Sequence, residues 1–206
     1  MVFLRAAVLR IVLFSIVVLA ASPVLAGPIN LELRPSLQSV LVGQTANIGI
    51  YVTSNDGANH TLAAADVVFT WAPGLLQLTG LNNSGGAPLL SSGFPGVSPN
   101  ESNPPADGDG YYSALAFLGT PVTVTPLGTL LTTLKFTALN LTLGTDINVI
   151  PSGGSPAVHS AAYDGTIPNL DDTGTLGSAR VIVLPEPASA ALLLLSGLAI
   201  LRRRRS

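Results

Sequence analysis

The sequence predicts an all-β domain, an antiparallel β-sandwich, enclosed between two terminal segments of different character. Apolar and polar residues alternate with a period of two over several short stretches, as half-buried strands require. Gly, Pro and Asn separate these stretches, and the middle of the chain has no convincing amphipathic helix. Residues 27–184, which number 158 (184 − 27 + 1), suffice for one domain with its own core.

The segment that precedes this domain, residues 1–26, has the pattern of a signal peptide. Arg5 and Arg10 give it a charged start, and residues 11–21 form an apolar stretch that only Ser15 interrupts. Small or apolar residues lead up to Ala26, and we therefore expect cleavage after Ala26. An uncleaved N-terminal anchor is the alternative, and either outcome exports the domain.

Eight stretches of the domain have the pattern of strands. The most regular is 130–138, which is expected to direct four apolar side chains to one face: Leu130, Leu134, Phe136 and Ala138. Residues 111–118 are apolar on both faces, as expected of a central strand. The remaining predicted strands are 29–33, 45–52, 65–71, 75–81, 146–150 and 179–184.

Two further stretches, residues 82–110 and 151–177, have the composition of loops. Gly and Pro recur through both of them, and the first runs for 29 residues (110 − 82 + 1). A structureless stretch of that length is unusual inside a compact domain, so the sequence predicts that it is either functional or mobile.

The charge of residues 27–184 limits the possible partners. Three cations stand against ten acidic residues, which gives a net charge of −7 (3 − 10). So few cations argue against nucleic acid as a partner. The chain has no cysteine, which excludes disulfides, thiolate zinc sites and thiol nucleophiles.

The C-terminal segment, residues 185–206, joins three distinct parts. A Pro185-Glu186-Pro187 triplet comes first, then the apolar residues 188–201, then Arg202, Arg203, Arg204 and Arg205 before the final serine. Arginines that follow an apolar segment stay in the cytoplasm, so they act as a stop-transfer signal. As a helix the apolar part would span about 21 Å, less than the ~30 Å hydrocarbon core, which favours a transient anchor.

This arrangement resembles the PEP-CTERM sorting signal of bacterial envelope proteins. The resemblance implies that an exosortase-type enzyme recognises the triplet and cleaves near it. The product would then be released, or attached at the cell envelope or surface, after a transient single-pass membrane form. An ordinary tail anchor and a buried core helix are the alternatives.

The domain itself resembles a cohesin-type domain in three places. They are residues 40–52 (VLVGQTANIGIYV), 66–76 (DVVFTWAPGLL) and 127–138 (LGTLLTTLKFTA). The resemblance covers roughly residues 29–184 and implies a jelly-roll sandwich of about nine strands, related to carbohydrate-binding modules. It also implies binding of a dockerin module through one sheet face, and this partner would be another protein because no dockerin-type calcium repeat occurs in this chain. The long stretch 82–110 departs from the compact form of the family.

Two sets of side chains are candidate ligand sites. Asp107 and Asp109, spaced by glycine, offer two carboxylates to calcium, although Asp-Gly is also a common turn pair. Tyr111 and Tyr112 are candidates for stacking against a glycan, with packing at a sheet edge as the alternative.

Catalytic chemistry finds little support in the sequence. The two histidines lie in polar loops, and strand carboxylates that could face each other across a groove are lacking. We therefore predict a non-enzymatic exported protein that serves adhesion or binding in extracellular polysaccharide or a biofilm matrix. The alternatives are a specific protein-binding module of the cohesin kind and a secreted hydrolase.

Overall fold

A computed structural model describes residues 27–116, 119–166 and 170–186 of the chain. The predicted signal peptide, the last residue of the Pro-Glu-Pro triplet, the apolar segment and the arginines lie outside these residues. The described part consists of sixteen strands: β1 (Ile29–Arg34), β2 (Leu37–Leu41), β3 (Thr45–Ser54), β4 (His60–Leu62), β5 (Ala64–Thr70), β6 (Leu76–Asn82), β7 (Leu89–Gly93), β8 (Asp109–Ala116), β9 (Val122–Val124), β10 (Thr129–Ala138), β11 (Thr142–Ile150), β12 (Ser152–Gly153), β13 (Val158–His159), β14 (Ala161–Tyr163), β15 (Thr173–Leu176) and β16 (Ser178–Leu184).

Two main sheets enclose the core. The first, sheet A, has the strand order β15-β1-β3-β10-β6, and the second, sheet B, has the order β2-β16-β11-β5-β8-β7, with β14 also paired to β5. Neighbours are antiparallel except for β1 with β15 and β2 with β16. Two small two-stranded sheets, β4-β9 and β12-β13, lie outside the main sheets. The predicted all-β sandwich is therefore confirmed.

The core forms where the inward-facing residues of the two sheets meet. Strand β3 supplies four residues of this core, all without exposed surface: Ala46, Ile48, Ile50 and Val52. Strand β5 supplies Val67 and Phe69 from the opposite sheet, and Phe69 stacks on Trp71 with 5.6 Å between ring centroids. These are the faces that the alternation predicts for 45–52 and 65–71, and both predictions are confirmed.

Strand β10 departs from its predicted pattern at one point. A bulge between Leu130 and Thr132 shifts the register against β3. As a result Leu131 is buried, while Leu130 is only half-buried and packs on the outer face beside Gly49. The prediction that Leu130 shares the inner face with Leu134 is wrong, because the extra residue of a bulge reverses the side-chain direction before it.

The two predicted loops contain more structure than expected. Residues 82–110 include strand β7, and residues 151–177 include strands β12, β13, β14 and β15. β7, β12 and β15 are short and rich in Gly, Ser and Thr, and β13 and β14 have only two and three residues, so all five lack the apolar alternation from which a strand is recognised. They also raise the number of strands above the nine that the resemblance implies.

No helix among the described residues has the length and apolar character needed to cross a membrane.

Candidate functional site

An apolar row crosses the outer face of sheet B. Leu115 of β8 lies directly opposite Leu90 of β7 on one side and Ala64 of β5 on the other, and Ala64 in turn lies opposite Tyr163 of β14. Residues directly opposite each other in antiparallel strands project from the same face, so these four side chains form one line, which we name the outer row. Leu90 and Leu115 are 55% and 49% exposed.

Polar groups border the outer row. The Tyr111 hydroxyl donates to the carboxylate of Asp66 across the β5–β8 pair at 2.7 Å. Burial, followed by this hydrogen bond, raises the pKa of Tyr111 to about 12. The phenol therefore stays protonated and remains a donor at every physiological pH. An apolar line with a fixed polar border is the usual composition of a protein-binding surface.

The middle of this face is covered by the chain itself. Val68 points outward from β5 yet has no exposed surface. The Ser160 hydroxyl accepts from the Val68 backbone N–H at 2.8 Å and donates to the Ile150 carbonyl at 2.6 Å, which ties the β12–β13 hairpin to this side of the sheet. The outer row is open to a partner, and so is the part of the face beyond the hairpin, where Asp146 of β11 and Arg180 of β16 are exposed.

The structure separates the two tyrosines that were candidates for glycan stacking. Tyr111 is half-buried on the outer face, whereas Tyr112 has no exposed surface and is part of the core. Consecutive residues of a strand point to opposite faces, so the pair could not act together. Tyr112 cannot stack against a glycan, and that part of the prediction is wrong.

The calcium candidates Asp107 and Asp109 are joined by a third carboxylate that the sequence did not single out. Ligand atoms of Glu101, Asp107 and Asp109 all lie within 4.8 Å of one another. Burial, followed by the charges of Asp107 and Glu101, raises the pKa of Asp109, whose Oδ1 is buried without a hydrogen-bond partner. Carboxylate oxygens are the ligands that calcium prefers, so the donor set has suitable chemistry for that ion.

Asn100 holds the long connection between β7 and β8 in place. Its side-chain amide donates to the carbonyls of Pro95 and Tyr111, each at 2.8 Å, and its oxygen accepts from the Tyr111 backbone N–H at 2.7 Å. The two reciprocal hydrogen bonds between the Asn100 side chain and the Tyr111 backbone resemble a backbone pair between neighbouring β-strands. It places Glu101, the next residue, close to the start of β8 and so assembles the carboxylate cluster.

The outer face of sheet A is more polar, although Leu130 packs on it. Arg34 pairs with Glu32 at 2.7 Å, and the guanidinium carbon lies 4.9 Å from the centre of the Tyr51 ring. Thr53 donates to the other oxygen of Glu32 at 2.7 Å. Each of these groups already has a partner within the face, so this face has less to offer a ligand than the outer row does.

The groups required for hydrolysis do not converge in the described part of the chain. Ser160 is bonded to backbone groups, as described, and the neighbouring His159 is exposed on β13. His60 is bonded to Asp56 at 2.9 Å, and this hydrogen bond, followed by one from the Ala58 backbone, holds the pKa of Asp56 well below its usual range. Asp56 and His60 form a local hydrogen-bonded pair, and the Ser54 hydroxyl donates to the Asp56 carboxylate at 2.8 Å instead of to the imidazole of His60. These three groups therefore lack the Ser–His–Asp order that activates a serine nucleophile.

Of the predicted sorting motif, Pro185 and Glu186 are described. Both follow β16 directly and are exposed, so a processing enzyme could reach them.

Comparison with known proteins identifies the class of fold. No family profile and no curated protein sequence matches the chain. Among solved structures, CaCohA2 from Clostridium acetobutylicum is 10% identical with a TM-score of 0.54, over 77% of this chain and 92% of that chain. In its complex with CaDoc0917, CaCohA2 gives 12% identity and a TM-score of 0.53, over 76% and 99%.

A third match is the type I cohesin–dockerin complex of OlpA from Clostridium thermocellum, with 10% identity and a TM-score of 0.48 over 76% of this chain and 99% of that chain. At such identities the likeness concerns the fold alone. The described domain is a cohesin-like β-sandwich.

Proposed function

We propose that this chain is an exported, non-enzymatic binding module that holds another protein through the outer row of sheet B. The single observation that carries the proposal is the exposure of two paired leucines, Leu90 and Leu115, on that face. The cohesin-like fold supports it, because CaCohA2 forms a complex with the separate protein CaDoc0917. By analogy, the partner of this chain is a dockerin-like module on another polypeptide.

The outer row has the chemistry of a small interface core. Burying apolar surface releases about 25 cal/mol per Å², so two leucines and a tyrosine ring can anchor a partner side chain. The fixed hydrogen bond between Tyr111 and Asp66 would then contribute specificity at the border.

Binding measurements with matched variants test this proposal. Recombinant dockerin modules and proteins captured from envelope extracts are titrated against the wild-type chain, Leu90→Asp and Leu115→Asp. The control is Leu127→Asp, a leucine that is 86% exposed in the turn before β10. We expect at least about a tenfold loss of affinity for the first two, since a charge would be buried in the interface, and none for the control. Equal effects from all three variants, or no binding partner at all, would refute the proposal.

We also propose that the C-terminal segment delivers the module to the cell envelope. Intact mass and fractionation are measured for the protein in its host, beside a variant in which Pro185, Glu186 and Pro187 are alanine. The sorting proposal expects loss of residues 1–26 and of the arginine tail in the wild type only. If both proteins keep the tail, the chain is a plain single-pass anchored protein, and the exosortase-type partner is ruled out.

Adhesion to extracellular polysaccharide is the second candidate, and it is favoured by the partly exposed rings of Tyr111 and Tyr163 on the same face. If polysaccharide stacks on these rings, Tyr163→Ala should weaken polysaccharide binding more than Leu90→Asp does. Retention on immobilised host polysaccharide distinguishes the two candidates.

Calcium binding is a further proposal for the cluster of Glu101, Asp107 and Asp109. Calorimetric titration with calcium is expected to give one site, which Asp107→Asn should weaken and Asp146→Asn should not. Heat equal to the buffer blank in the wild type would leave the cluster as a turn without metal.

A further inference from the structure

The end of the sandwich at which the last strand finishes is rich in exposed leucine. Four chain segments meet there: the β2–β3 turn bonds to Leu184 at 3.1 Å, and the β10–β11 turn bonds to Leu75 of the β5–β6 connection at 2.8 Å. This end, which we name the leucine end, carries the exposed side chains Leu139, Leu141, Leu143 and Leu184. Leu143 is 90% exposed, the highest value among the exposed large apolar residues of the described chain.

Few charged groups lie at the same end. Within residues 41–45, 71–76, 138–145 and 184–186, Glu186 is the one charged residue, and the guanidinium of Arg180 on β16 packs against Gly144. The carboxylate cluster lies at its flank, because the Gly108 carbonyl accepts from the Trp71 backbone N–H. The opposite end, around Ser54 and Ile29, carries Asp56, Asp171 and Asp172. The domain thus has one leucine-rich end with few charged groups and one acidic end.

The chain continues from the leucine end into its apolar segment. Leu184 is four residues before Ala188, a distance of at most about 14 Å along a fully extended chain. The sandwich is about twice as long, since the ten residues of β3 span roughly 30 Å. A tether this short forces the leucine end toward whatever surface holds residues 188–201.

We propose that in the membrane-tethered form the leucine end rests on the lipid bilayer, with Leu141 and Leu143 inserted among the headgroups. The inference rests on the proposed sorting function, which supplies the tethered form. Exposed aliphatic side chains gain by leaving water, and the scarcity of charge keeps the desolvation cost low. The acidic cluster at the flank disfavours anionic lipid, so the bilayer expected to bind is zwitterionic. The contact would also present the outer row and the acidic end away from the membrane.

The lack of native cysteine allows a direct test on the full chain. Leu143→Cys carries an environment-sensitive fluorophore, and the chain is reconstituted into phosphatidylcholine vesicles with or without a lipid-bound quencher. The matched control is Leu127→Cys, which is equally exposed but lies at the opposite end, where Ser54 bonds to Thr125. Leu141→Cys provides a second reporter on the leucine end.

The expected result is a blue-shifted emission that the lipid-bound quencher removes at 143 and 141, with an unshifted, unquenched label at 127. If the chain floats with the vesicles but label 143 remains in water, the inference is wrong while the membrane-tethered form stands. If the chain does not float with the vesicles, the tethered form itself fails, and the inference fails with it. A shifted label that lipid does not quench indicates a second copy or another protein on these leucines, and this also refutes the bilayer as occupant.

Discussion

The carboxyl of Asp109 gives the domain a pH dependence that one substitution can reveal. Burial and two neighbouring carboxylates raise its pKa in the folded state, so the folded protein binds its proton more tightly than the unfolded chain does. The resulting stabilisation is present below the unfolded pKa of about 3.9 and is lost as the pH rises through the folded pKa. At pH 7 the ionised group therefore destabilises the fold.

We accordingly expect Asp109→Asn to raise Tm by about 1–3 °C at pH 7 without calcium, and to change it little at pH 3. Thermal unfolding followed by circular dichroism measures both values. Asp146→Asn is the control, because Asp146 lies 3.5 Å from Arg180 at the surface and its removal should leave Tm unchanged or slightly lower. A lower Tm for Asp109→Asn at pH 7 would show that Asp107 and Glu101 do not repel the Asp109 carboxylate as described.

Among connecting elements, the one between β7 and β8 depends on Asn100. Its replacement by alanine removes three hydrogen bonds and leaves the Tyr111 backbone groups without these partners. A buried unsatisfied group costs about 1–3 kcal/mol, so Asn100→Ala should lower the free energy of unfolding by roughly 2 kcal/mol. Hydrogen exchange at the Tyr111 amide should accelerate more than exchange in β3.

The control for this change is Asn103→Ala, three residues further along and exposed. It should leave both stability and the Tyr111 amide unaffected. Unchanged exchange at Tyr111 in Asn100→Ala would mean that the long connection is fixed by other contacts, such as the bond between Ser98 and Ser155.

Strands could be predicted where an apolar alternation runs over several residues, and they were missed where the strand is too short or too polar to show one. In β3 every second residue is buried, so alternation alone located the element. In β7 and β14 the partners lie far away in sequence, and the local residues, such as Ser91 and Ser92, have no apolar period. The bulge of β10 was also invisible, because Leu130 and Leu131 are both apolar and only pairing with β3 decides between them.

The candidate site could be predicted only in part for the same reason, since local sequence patterns do not contain contacts between distant residues. The carboxylates of Asp107 and Asp109 could be predicted as a pair from their spacing, but Glu101 joins them only because Asn100 folds the connection back onto β8. The outer row requires the register of four strands, which no local pattern contains. Leu115 lay within a predicted strand, whereas Leu90 lay in a predicted loop, so their contact could not be inferred from either stretch.

For the whole molecule, the position of β16 determines where the chain can be shortened. This last strand lies inside sheet B, parallel to β2 and antiparallel to β11. Val181 and Val183 are 0% and 2% exposed in the core. Each buried valine is worth about 1.5–3 kcal/mol, so removing both costs about 3–6 kcal/mol before the lost hydrogen bonds are counted. A domain of this kind has only about 5–15 kcal/mol in total.

The proposed cleavage of the C-terminal segment must therefore spare everything up to Leu184. We expect a chain of residues 27–184 to unfold in one cooperative transition, with a Tm close to that of residues 27–186, since Pro185 and Glu186 are exposed. A chain of residues 27–177 should show no cooperative transition. Val181→Asp in the longer chain, which keeps the strand but buries a charge, should be nearly as damaging. Thermal unfolding of the four proteins checks this prediction. A folded 27–177 chain would mean that sheet B forms without its last strand. The proposed processing enzyme could then also cleave before Leu184.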